Sequence, residues 1–339
     1  MPSDQSTWII SAPLNGDSEG IVQELTTKLV QQSKSISANS IAELGIPSFK
    51  TGTLDSLIAL SEDLPKQDTF FTNTVAKVVD TLRNLLNNDP SKLSQHILVN
   101  ESSIESYLLG QWRWNESRYG VQKGLRDMVD TLNKEMTSID NAMRAKLTNY
   151  NLVKGSLVQM QRKKTGNLSV RSLADVVSKE NFIQDSEYLE TLLAAVPKFT
   201  IRDFIFSEEE IVKQRQELDT ADVTERELWT ELLHLSRTNF SESFQILVHL
   251  KVIRLFVESV LRYGLPANYI GIVIQPDPKS AKKTFSILQS HFSYLGSGSH
   301  SRGTKLKGGD TEEFVGEYQT LMEQEFYDFV LYEVPWVTQ

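Results

Sequence analysis

Between residues 121 and 160, apolar side chains recur in steps of three and four: Val121, Leu125, Met128, Leu132, Met136, Ile139, Met143, Leu147, Tyr150, Val153, Leu157 and Met160. A mean step near 3.5 puts them in one narrow stripe along a helix. At 1.5 Å per residue that helix is about 60 Å long. Gly166 marks its stop. A second stripe, with Leu228, Leu232, Leu235, Phe240, Phe244, Leu247 and Leu255, predicts a helix over 207–263. Ser207 followed by Glu208, Glu209 and Glu210 has the form of a capping box. Gly264 and Pro266 end the run. No proline falls between Pro90 and Pro197, and neither Pro nor Gly falls between Lys198 and Tyr263.

The two ends carry a different pattern. Residues 7–11 and 269–274 read as strands, the first stopped by Pro13 and the second bounded by Pro266 and Pro276. Residues 325–334 alternate and end at Pro335, so they predict a third strand. Helical spacing covers 18–30 and 279–292. The stretch 296–309 is rich in Gly and Ser and reads as a loop.

A narrow stripe on a long helix needs a partner to cover it. The other long helix, packed antiparallel at about 20°, is the simplest one. Antiparallel pairing returns the chain to its starting end, so the terminal segments can share one sheet. The predicted fold is therefore α+β and predominantly helical, an elongated dumbbell. Residues 1–110 and 265–339 form its foot, 111–166 an ascending neck helix, 167–206 the head and 207–264 a descending neck helix. Two separated contact surfaces on a stiff rod suit a tether or strut.

Composition narrows the chemistry. The 339 residues are 40% hydrophobic and 23% charged, with a net charge of −9. That is ordinary for a folded chain. Its sign opposes nucleic acid and anionic lipid, so no nucleic-acid partner is expected. The absence of cysteine excludes disulfides, thiolate metal sites and a cysteine nucleophile, and fits a reducing compartment. The first eleven residues lack the basic and apolar regions of a signal peptide, and no apolar run is long enough to span a bilayer.

Nothing in the sequence assembles a catalytic constellation. Of the five histidines, His234 and His249 share a predicted helix but lie about 22 Å apart, too far to share a metal. The Gly-rich stretch lacks the Gly-x4-Gly-Lys-Ser/Thr pattern of a phosphate loop. Carboxylates are scattered or paired with Lys on helix faces. No catalytic residue, cofactor or metal is therefore expected. The candidate partner-binding residues are the basic run Arg162, Lys163 and Lys164, with Arg171 nearby, and Trp112. The cations suit either the C-terminal dipole of their own helix or an acidic partner. Trp112 and Trp114, two residues apart, face different sides, one suited to the core and one to a partner.

Several segments resemble the C subunit of the vacuolar-type proton-pumping ATPase (V-ATPase). They are Trp8-Ile-Ile-Ser-Ala-Pro13; Gly45-Ile-Pro-Ser-Phe-Lys-Thr-Gly-Thr-Leu-Asp55; Arg162-Lys-Lys-Thr-Gly-Asn-Leu-Ser-Val-Arg171; Asn239-Phe-Ser-Glu-Ser-Phe244; Phe256-Val-Glu-Ser-Val-Leu-Arg-Tyr-Gly-Leu-Pro266; and Tyr327-Asp-Phe-Val-Leu-Tyr332. They fall in order along nearly the whole chain. The resemblance implies a non-catalytic peripheral stator component of the soluble ATPase sector, cytoplasmic and peripheral to vacuolar or other endomembranes. Its implied partners are the E and G stalk subunits and the cytosolic domain of the membrane-embedded a subunit, and its release accompanies reversible disassembly of the proton-transport complex. Some members also bind actin. The long amphipathic stripe by itself fits a cytoskeletal or coiled-coil adaptor that binds a filament equally well, and that is the alternative. One departure is visible: after Pro197 and Lys198 the family carries several dozen further residues, whereas here Phe199-Thr-Ile-Arg-Asp-Phe204 follows at once. The head is truncated.

Overall fold

The structure is a computed structural model that describes residues 2–14, 18–33, 36–165, 208–265, 268–296 and 327–336. It contains β1 (Ser6–Pro13), α1 (Ser18–Ser33), β2 (Ile41–Leu44), α2 (Leu54–Leu85), α3 (Pro90–His96), α4 (Ile104–Ser106), α5 (Leu125–Thr165), α6 (Glu208–Tyr263), β3 (Tyr269–Ile274), α7 (Ala281–Gly296) and β4 (Val330–Pro335). It is mostly helical with one small sheet, consistent with α+β. The chain divides into two compact units, Met1–Asp140 with Ser236–Gln339, and Asn141–Leu235. Helices α5 and α6 contribute to both.

In the first unit the ends of the chain share a sheet of order β2-β3-β1-β4, antiparallel at every pairing. Trp8 sits between Ile274 and Glu333, and Ile10 between Ile272 and Leu331. On one face Trp8, Ile10, Ile270, Ile272 and Ile274 meet Leu25 and Leu29 of α1 and Phe285, Leu288 and Phe292 of α7. The other face meets α6: the Ser259 hydroxyl donates to Ser11 Oγ at 2.8 Å, and the Tyr263 hydroxyl donates to the Ser11 carbonyl at 3.1 Å. Coverage on both faces explains why Trp8, Ile9 and Ile10 are all fully buried, so the strand reads as an apolar run rather than an alternation.

Local chemistry sets the element ends. Thr53 caps α2, its hydroxyl accepting from the Ser56 amide. Asp89 caps α3 in the same way, with Pro90 at the first helical position. Gly264, at φ 81°, ends α6 in the left-handed conformation that favours glycine. Helix α2 contains Pro65 and persists through it, although proline removes a helical hydrogen bond. Its buried face, including Leu57, Leu60, Leu64, Phe71, Val75, Val78 and Leu82, supplies the compensating burial.

The α5 stripe is buried at Leu125, Met128, Leu132, Met136, Ile139, Met143, Tyr150 and Leu157. Val121, Leu147, Val153 and Met160 are half-buried. Within the first unit its neighbour is α2, which no sequence pattern announced: Arg126 pairs with Asp63 at 3.2 Å and Lys77 with Asp140 at 3.6 Å. Both sequence numbers advance together, so α2 and α5 run parallel there. In the second unit α5 and α6 are linked by Lys146–Glu231 at 2.5 Å and by the Tyr150 hydroxyl donating to Glu225 at 2.8 Å. These numbers run in opposite senses, so the two stretches are antiparallel.

Several boundaries differ from the sequence expectation, among them α1, which ends at Ser33, and α7, which spans Ala281–Gly296. Strand β1 runs through Pro13, because a residue at the strand end can forgo its amide bond. Helix α5 starts four residues after Val121, and β4 starts at Val330. The expected stop at Gly166, the cap at Ser207, the segment 167–206 and the loop 297–309 lie outside the described residues.

Candidate interaction surfaces

Three arrangements of polar and charged side chains stand out. The first is a strip on α6. Ser241, Gln245 and His249, four residues apart, share one helix face. The segment 97–119 crosses this strip. The Asn100 amide donates to Ser241 Oγ at 3.2 Å, and Gln245 Nε2 donates to Asn100 Oδ1 at 3.0 Å. Further along, His249 Nδ1 lies 2.7 Å from the Gln245 carbonyl, and the Asn115 amide donates to His249 Nε2 at 3.2 Å. Asn100 and Glu101 take φ of 48° and 64°, so both central positions of this turn are left-handed, a conformation that Asn tolerates better than Glu.

Aromatic rings enclose the imidazole. Trp114, Tyr119 and Trp112 lie 4.8, 5.0 and 5.9 Å from it, centroid to centroid. His249 is only 3% exposed, and burial pushes its pKa below the ordinary histidine value. The Tyr119 hydroxyl donates to Glu135 of α5, and Arg118 pairs with the same carboxylate at 2.9 Å. Burial, and then the Glu135 carboxylate, push the Tyr119 phenol upward.

The second arrangement is ionic and buried. Asp68 of α2, 5% exposed, receives Lys251 at 2.8 Å and also Arg254, both from α6. Arg254 stands 4.2 Å over the Tyr332 ring of β4, a cation–π contact. Burial lowers the Lys251 pKa, and Asp68 opposes that shift. The cluster joins α2, α6 and β4 through one carboxylate.

The third is the helix pair of the second unit. Residues 141–165 carry Arg144, Lys146, Lys154, Arg162, Lys163 and Lys164 and no acid. Beside the seam lies an open groove of about 620 Å³, lined by Leu152, Val153 and Met160 of α5 and by Lys213, Glu217 and Thr220 among others of α6. The Thr220 and Thr224 hydroxyls bond back along α6, Thr220 to the Gln216 carbonyl and Thr224 to the Thr220 carbonyl.

The predicted partner residues fare unequally. Arg162 is exposed near the end of α5, next to Lys163 and Lys164 on the same helix. Arg171 lies outside the described residues. Trp112 is corrected: at 2% exposure it is an interior residue that packs on His249 and offers no surface to a partner. Its neighbour Trp114, half-buried, donates from Nε1 to the Tyr119 carbonyl at 2.8 Å. The α6 strip went unseen because Ser241, Gln245 and His249 look like ordinary polar helix positions. Their four-residue spacing was the available signal. Among the described residues no group of His, Asp and Glu could hold a metal ion, and no helix is long and apolar enough to cross a membrane.

What this arrangement defines is a helical scaffold whose polar networks fasten elements to one another. The chain matches the V-ATPase C-subunit family over residues 7–198 and 197–330. It is 30% identical to the C 1-B subunit of the V-type proton ATPase of Danio rerio, over 96% of this chain and 97% of that protein. The C 1 subunit of Xenopus tropicalis and the C subunit of Manduca sexta match at the same identity and coverage. The chain belongs to the V-ATPase C-subunit family. The two matched segments overlap at Pro197 and Lys198. The Danio rerio alignment spans 384 positions yet takes in 96% of a 339-residue chain, so several dozen of its positions face no residue here.

Proposed function

We propose that this chain is a non-catalytic stator component of the soluble sector of a vacuolar proton-pumping ATPase. It links the E–G peripheral stalks to the cytosolic domain of the membrane-embedded a subunit, on the cytosolic face of an endomembrane, and its release accompanies disassembly. The observation that carries this reading is the family match along residues 7–330. The scaffold character of the described residues supports it: their buried charges Asp68, Asp140 and Lys251 each have an ion-pair partner on another helix. The unit that contains both termini takes the anchoring role, because the split between the two matched segments falls outside it. The basic run beginning at the exposed Arg162 is a docking patch for an acidic stalk segment.

Purified full-length chain should retain an E–G heterodimer at micromolar concentration. Reversing the charges at Arg162, Lys163 and Lys164 should weaken that retention and steepen its loss with salt. No retention by the unaltered chain would reject the stator reading. Co-sedimentation with actin in place of E–G binding would favour the filament adaptor.

A further inference from the structure

The two partners of His249 fix its protonation state. The Gln245 carbonyl can only accept, so Nδ1 carries the hydrogen. The Asn115 amide can only donate, so Nε2 must keep its lone pair. Only the neutral imidazole satisfies both. A proton on Nε2 would set two donors against each other at 3.2 Å, in a site walled by Trp112, Trp114 and Tyr119. The charges that face the ring come from each element around it. Arg118, on the segment itself, disfavours a second positive charge, and Glu135 of α5 favours one. They are bonded to each other at 2.9 Å, so they largely offset. Gln245 supplies a carbonyl from α6, and the remaining walls are aromatic.

We propose that His249 is a proton-operated latch: its neutral ring holds the segment 112–119 against α6, and its protonation releases that segment. Release matters beyond the segment. Through Arg118 and Tyr119 the segment also grips Glu135, so opening uncouples the first turns of α5 from α6 within the first unit. Burial of the imidazole works in the same direction, because it lowers the folded-state pKa. The latch is fully engaged above the pKa of a free histidine, near 6.5, and weakens as pH falls below it.

The test is hydrogen exchange on the full chain between about pH 7 and pH 5, corrected for intrinsic exchange rates. The protection factor at Asn115 and its neighbours should drop by up to about tenfold per pH unit below about 6.5. Protection in β1 should hold constant. The variant His249→Gln keeps an acceptor near the Nε2 position and cannot titrate, so its Asn115 protection should stay level across the range. A flat profile in the unaltered chain overturns the latch, as does a parallel loss in β1, which would signal global unfolding. If the Gln variant does not fold, the unaltered profile and its β1 control decide the matter.

Discussion

Asp68 shows how one residue can organise three elements. It sits in the apolar stripe of α2 and neutralises two cations from α6, one of which also covers Tyr332. Asp68→Ala would leave Lys251 and Arg254 facing each other without the buried carboxylate they share. Loss of one partner from a buried ion cluster costs about 3–5 kcal/mol, and urea denaturation should register a loss of that size. Lys251→Met should cost far less, since Arg254 still neutralises the carboxylate. Equal losses in the two variants would contradict the arrangement. At this scale the sequence was least legible. A carboxylate at a core position of α2 was the trace of the cluster, and reading it required recognising that helix. Trp112 misled for a related reason: an aromatic ahead of a long helix suits a partner contact as well as an interior one, and only burial separates the two.

Among the elements, the long helices were the most legible. The three-and-four spacing from Leu125 to Leu157 predicted a buried stripe, and most of those positions are buried. Leu132, at 0% exposure, should cost about 2–5 kcal/mol when changed to Ala, the range for a core leucine that leaves a cavity. Leu152, at 67% exposure, should change stability by less than about 0.5 kcal/mol. Thermal melts of the two variants separate core from groove wall. The sheet offers a second test. A Cβ at Gly271 would lie 2.5 Å from the Leu44 carbonyl oxygen, so Gly271→Ala must push β2 from β3. That overpacking should cost about 1–3 kcal/mol and raise exchange along β2. Among the elements that no sequence pattern announced, α2 and β2 escaped for opposite reasons. Helix α2 is long but carries Pro65, the usual sign of a break. Strand β2 has only four residues, too few for a period to emerge, and its pairing to β3 is a long-range fact.

For the whole molecule, the pairing of the two chain ends followed from a simple geometric demand: two long helices that cover one another bring the chain back. The strands at residues 7–11 and 269–274 do share a sheet. The family name came from motifs, not from the pattern, and the match along residues 7–330 agrees with them. The family match is split into two segments at Pro197 and Lys198. Affinity purification of the tagged full-length chain from its own cells tests the stator reading most directly. Soluble-sector components of the vacuolar proton ATPase, E and G among them, should co-purify with it. Recovery of the chain without any ATPase component would contradict that reading.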